Sequence, residues 1–333
     1  MYSEADLTDA VTEGAITAEA ADALRAFVAR RQSMPPADEE QFRLLTGFND
    51  IFVSIATVLL LTSAGWLAGT IMPALGAGVV AILSWALAEY FTRRRRMALP
   101  SILLLVSFVG GMFAVGYFLL AANTATQGQG IAGTMLAIAA SAVHWRRFYV
   151  PITIAAGALA SVGAVVAVLL AVWPDLGRYT MVAVFLGGIA VFALAMRWDI
   201  SDRVRVTRRS DVAFWLHLCA APLIVHPAFK LLGLLDNDGT DLGRAAVAVG
   251  VYGVLAVVAV VVDRRALLVS ALFYVVYAIS ALLRAAGALS FSLALTALVA
   301  GSALLLLSAF WQPTRRAVVS ALPAGVRARV PAA

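Results

Sequence analysis

Between Phe214 and Lys230 the chain reads FWLHLCAAPLIVHPAFK, which places two histidines, two prolines, the only cysteine and the only lysine in a membrane-length apolar stretch. An imidazole near the middle of a bilayer can carry protons or hold a polar solute, and a polar side chain at such depth is costly without a partner. At 100° per residue, Trp215, Cys219, Pro222, His226 and Lys230 fall on one stripe of a helix, whereas His217 points the opposite way. For a span over Val212 to Leu235, the helix rise puts His226 within about 5 Å of the midplane and His217 about 9 Å from it. Pro222 and Pro227 remove the donors for the carbonyls of Leu218 and Leu223, so a kinked helix with freed carbonyls is expected. Glu89 is the remaining ionisable candidate, near the end of its apolar run and four residues before Arg93.

These candidates define a substrate or proton site: His226, His217, Lys230, Cys219, Trp215 and Glu89. No metal is expected, because the histidines diverge and the sequence around them offers no carboxylate. A single cysteine makes no intramolecular disulfide, and CxxC, HExxH, GxSxG, P-loop and dinucleotide-binding patterns are absent, so no cofactor and no catalytic residues are expected. The acidic run from Asp236 to Asp241 lacks an EF-hand's glycine and glutamate and reads as a solvated turn.

The elements that must position these residues follow from composition. A 333-residue chain with 62% hydrophobic residues, 13% charged residues and a mean hydropathy of +0.91 has more apolar surface than one aqueous core can hide. The expected fold is all-α, a polytopic transmembrane helical bundle, since helices satisfy their own backbone groups in hydrocarbon. About ten spans are expected: Asp50 to Gly69, Ile71 to Phe91, Pro100 to Ala122, Gly128 to Trp145, Tyr149 to Trp173, Tyr179 to Arg197, Val212 to Leu235, Ala245 to Val262, Ala266 to Leu283, and Gly287 to Trp311. Joining the first two as one re-entrant hairpin would leave eight.

Alternate loops hold sixteen arginines on one side of these spans and three on the other, which predicts both termini in the cytoplasm. Residues 1–50 carry ten acids against four arginines and the remainder carries the positive excess, so the basic balance reflects headgroup anchors and no nucleic-acid partner. Trp145, Trp173, Trp198 and Trp311 read as interfacial residues, and Gly110, Gly111, Gly187, Gly188, Gly250 and Gly253 as close helix contacts.

Three parts are expected: a cytoplasmic amino-terminal helical segment over 1–46, the bundle over 47–312 and a cytoplasmic tail over 313–333. In the first, Gly14 ends one helix and Thr17 caps a second whose apolar face is Ala20, Ala23, Leu24, Phe27 and Val28. Fewer than 50 residues make little core, so this segment is expected to bind a protein partner or a second copy of itself. The first apolar run, near Asp50, is expected to serve as an uncleaved signal-anchor.

The phrase EGAITAEAADAL, Glu13 to Leu24, ahead of apolar hairpins, resembles the amino end of uncharacterised bacterial polytopic inner-membrane proteins grouped as a domain of unknown function. The resemblance covers about a dozen residues, implies a multi-pass protein of the bacterial inner membrane, and transfers no functional residue. Two halves of five spans would have opposite orientation, a plan shared by span count with the drug and metabolite transporter superfamily. The expected function is a non-catalytic membrane scaffold or assembly factor; the alternative is a secondary transporter or permease for a small solute, with its site on the kinked seventh span.

Overall fold

The computed structural model describes residues 4–32, 48–120, 126–202, 207–233, 242–265 and 292–327, with positions 267, 268, 272, 276, 279 and 330. Every described regular element is helical. Contacts divide the chain into two units, Met1–Arg43 and Leu44–Ala333.

The first unit is a helical hairpin of α1 (Glu4–Thr12) and α2 (Ala18–Gln32). Gly14 lies in the left-handed region at φ 72°, which lets its N–H reach the Val11 carbonyl and the Ala15 N–H reach that of Ala10, a glycine-terminated helix end. Thr17 Oγ1 accepts from the Ala20 N–H at 3.1 Å and so caps α2. Both turns stand where the sequence puts them. Ala21 is the buried contact of the hairpin, while Leu24 and Phe27 are exposed.

The second unit contains α3 (Phe48–Gly69), α4 (Pro73–Ala88) with a π-helical turn over Glu89–Arg94, α5 (Ala98–Leu119), α6 (Thr126–Phe148) and α7 (Ile152–Val172). After a 3-10 turn at Pro174–Tyr179 come α8 (Thr180–Ser201), α9 (Arg208–Leu231), α10 (Leu242–Val262), α11 (Ser292–Ala309), α12 (Trp311–Ser320) and α13 (Ala324–Arg327). Helices adjacent in the chain pair from α3 through α7 and again at α8 and α9; α9 also packs on α7, and α10 on α12.

Six described helices are long and apolar enough to cross a membrane: α3, α4 with its π turn, α5, α7, α8 with its preceding turn, and α9. A seventh arises only if α11 and α12, bent by 71° at Phe310, count as one segment. The helix α6 has the length, at 23 residues, but glutamines at its start and His144, Arg146 and Arg147 at its end lower its hydropathy. Most of the run Ala266 to Leu283 lies outside the described residues, as does the acidic stretch Asp236 to Asp241. Both members of the first hairpin, α3 and α4, have spanning length, so nothing in their dimensions calls for a re-entrant loop.

Small residues set the helix spacing. Gly65 and Gly69, one turn apart on α3, face Gly76 on α4 so closely that a Cβ on Gly76 would lie 2.5 Å from the Gly65 carbonyl oxygen. A Cβ on Gly116 of α5 would lie 2.6 Å from the Ala132 carbonyl oxygen of α6, and one on Gly188 of α8 would lie 2.8 Å from the Leu223 backbone. Of the six glycines expected at close contacts, Gly111, Gly187 and Gly188 are crowded, while no described atom lies within 4 Å of a Cβ on Gly110, Gly250 or Gly253.

Candidate functional site

The helix α9 is the most enclosed of the six, with half of its apolar window buried. Thr207 caps it, accepting from the Arg209 N–H at 3.2 Å, and Asp202 holds Thr207 in turn, accepting from its N–H at 2.9 Å and its hydroxyl at 2.6 Å. The helix is continuous through Pro222 and Pro227.

The predicted stripe splits by depth in the bundle. Trp215 and Cys219 pack against the buried cluster of Ala155, Val191, Ala195, Val212, Leu216 and Ala220, and the Cys219 thiol lies 3.8 Å from the Ala155 carbonyl of α7. Further along, Pro222, His226 and Lys230 are exposed on the outside of α9. The residue expected to point away from the stripe, His217, is the one that enters the protein, fully buried.

His217 Nε2 lies 2.8 Å from Asp199 Oδ2. An ionised carboxylate only accepts, so Nε2 carries the hydrogen that joins α9 to α8. The Phe192 and His217 rings meet edge to face, with centroids 5.1 Å apart. The Arg264 guanidinium binds the same carboxylate from the turn after α10, through Nη2 to Oδ1 and through Nε to Oδ2 at 3.4 Å, and Nη2 also donates to the Ser210 carbonyl at 3.2 Å. Asp199 is 1% exposed and Arg264 is 3% exposed. Such a pair persists only because each charge answers the other and further hydrogen bonds complete both.

The neighbouring residue faces elsewhere. Asp263 adopts a left-handed conformation, φ 58°, and ends α10: its N–H reaches the Val260 carbonyl, and the Arg264 N–H reaches that of Ala259. An aspartate tolerates this conformation better than most residues with a Cβ. The reversal turns the Asp263 carboxylate toward α12, where it accepts from Trp311 Nε1 at 2.7 Å and lies 3.5 Å from Arg315 Nε. Arg315 is 1% exposed, and the Arg265 guanidinium sits 5.1 Å over the Trp311 ring. The dipeptide Asp263–Arg264 thus joins α8 and α9 on one side to α12 on the other.

Three sequence expectations are corrected by this arrangement. Arg264 and Arg315, grouped with the headgroup anchors, are buried and paired with carboxylates. Trp311, placed in an interfacial belt, is buried against α10. A carboxylate does accompany His217, supplied by α8. Glu89 behaves as its spacing suggests and more: besides Arg93 at 3.4 Å it binds Arg147 of α6 at 2.6 and 2.9 Å, on an exposed face. No described group of three or more metal-binding side chains forms.

Asp199 and Asp263 were missed by reading only spans and arginines. The available signal was the company they keep. Topology needs only arginines at these ends, yet Asp199, Asp202, Asp211 and Asp263 stand among them, and an acid so placed is a candidate for internal pairing.

No protein-family model, curated protein or solved structure matches the chain.

Proposed function

We propose that the protein is a non-catalytic membrane scaffold or assembly factor, multi-pass in a bacterial inner membrane with both termini in the cytoplasm, which recruits a protein through its amino-terminal helical hairpin. The observation that carries this reading is the apolar face of α2. Residues 1–43 form a unit of their own, yet Leu24 and Phe27 are 42% and 53% exposed beside exposed Ala20 and Ala23. An amphipathic helix that leaves its apolar face open in so small a unit is suited to pairing with another helix. The closely packed helices of the second unit and the burial of His217 away from the Trp215 to Lys230 stripe add support. The topology rests on the arginine bias, with α6, α10, the expected span over 266–283 and α11 taken as four further spans, ten in all.

The test is a photoreactive amino acid at position 27 in the full chain, cross-linked in cells. The expected result is one discrete protein adduct that disappears with Leu24→Glu, while the purified bundle keeps its elution volume and thermal stability. Absence of any adduct, together with solute flux in proteoliposomes that is lost in His226→Ala, would favour the permease instead.

A further inference from the structure

Among the buried polar groups, the cluster at the arginine-rich end of α8, α9 and α10 combines a titratable imidazole with a route to a distant helix. We propose that His217, Asp199 and Arg264 form a proton-binding joint, in which protonation of His217 moves Arg264 off Asp199 and thereby repositions α12.

With His217 neutral, its one N–H is spent on Asp199, and Arg264 balances the carboxylate charge. The ring nitrogen without a hydrogen takes the proton; no bond other than N–H forms. Asp199 then lies between two cations, the imidazolium of α9 and the guanidinium of the α10 turn, both of which it already binds. Protonation gives a buried group that was neutral a net positive charge, and the like charges of imidazolium and guanidinium repel, so the pairing is redistributed. A second carboxylate is within electrostatic reach of the guanidinium: half-buried Asp211, one residue beyond the Ser210 carbonyl that Arg264 already binds. Among the described residues, the charged groups around the joint include Asp202 at the end of α8, which holds Thr207, and Arg208 at the start of α9, which interacts with Asp211. The helix α7, packed on the same stretch of α9, contributes no charged residue. From α12 come Arg315, on Asp263, and exposed Arg316.

Transmission depends on the turn. Asp263 and Arg264 share one peptide unit, so a guanidinium that swings toward Asp211 pulls on the residue that holds Trp311 and Arg315. The helix α12 is connected to α11 through a sharp bend, which can serve as the hinge.

The experiment is a spin-label distance measurement in nanodiscs on the full chain, with Cys219→Ser and labels at exposed Ser201 and Ser320, at the ends of α8 and α12. Acidification from about pH 8 to about pH 5 is expected to shift the distance distribution by roughly 2 Å or more, the scale of a helix displacement in a switching protein. The shift is expected to vanish in His217→Gln. Should that variant fail to fold, Asp211→Asn replaces it, and a reduced shift is expected because Arg264 has lost its second carboxylate. Identical distributions at both pH values would overturn the proposal, as would a full shift that persists in whichever variant folds.

Discussion

Among the carboxylate–arginine pairs that tie distant parts of this chain together, two differ in almost everything except chemistry. Glu89 and Arg147 join α4 to α6 across 58 residues, and Asp199 and Arg264 join α8 to the α10 turn across 65. The side chains of the first pair are 32% and 41% exposed; those of the second are 1% and 4% exposed. Water solvates the partners at Glu89 whether or not they meet. At Asp199 it cannot, and the partners must meet or leave a charge stranded. The helices α3 to α6 accordingly depend on close backbone approach at glycine, whereas α8 and α9, which also approach closely at Gly188, are tied to α10 and α12 by buried polar groups answering one another.

The sharpest way to break this contrast is Asp199→Ala. Truncating one member of a buried, hydrogen-bonded pair strands the other, at a cost of about 3 to 5 kcal/mol. The folded yield in detergent and the midpoint of thermal unfolding should both fall, the latter by the largest amount of any substitution considered. Adding Arg264→Gln should recover part of the loss, because the guanidinium no longer sits without its carboxylate, so a double-mutant cycle should give strong coupling. Equal and additive losses would mean that the two residues act separately.

On the other side of the comparison, Gly116→Val tests whether α5 and α6 rest on backbone proximity. The new Cβ would fall 2.6 Å from the Ala132 carbonyl oxygen, and backbone cannot move aside as a side chain can. Overpacking of this kind costs about 1 to 3 kcal/mol. Gly110→Ala, six residues earlier on the same helix and with no described atom within 4 Å of its new Cβ, should be neutral or slightly stabilising, since alanine is the better helix former by about 1 kcal/mol. The same thermal midpoints check both, and a Gly110 variant as damaging as the Gly116 variant would remove the argument for tight approach.

How much of this was legible before the structure depended on the kind of signal. Helical class, the amino-terminal hairpin with its Gly14 and Thr17 signals, and the Glu89–Arg93 spacing are local properties, and local periodicity reports them. The stripe on α9 was also geometrically sound: His217 does lie opposite Pro222 and His226. It did not identify the buried side, because amphipathic reasoning has no solvent reference inside a bilayer, where an exposed apolar face and a packed one look alike. The partners of His217 were hidden for another reason. Asp199 and Arg264 are 18 and 47 positions away from it, and only the packing of α8 on α9 and the left-handed turn at Asp263 bring them in. Arginine counting then worked against discovery, because a residue that sets orientation and one that completes a buried pair have the same letter.

The smallest expected effect sharpens the comparison from the exposed side. Glu89→Gln keeps the shape of the side chain and removes the charge that gathers Arg93 and Arg147. Exposed pairs lose to solvent and to side-chain entropy most of what they gain from attraction, so the thermal midpoint should scarcely move. Whatever difference remains should shrink as salt is raised toward molar concentration, where the screening length falls to about 3 Å. The Asp199→Ala loss should be nearly indifferent to the same salt, since ions do not enter a site that excludes water. A salt-resistant loss at Glu89 would instead place that pair with the buried one, as a joint on which α4 and α6 depend.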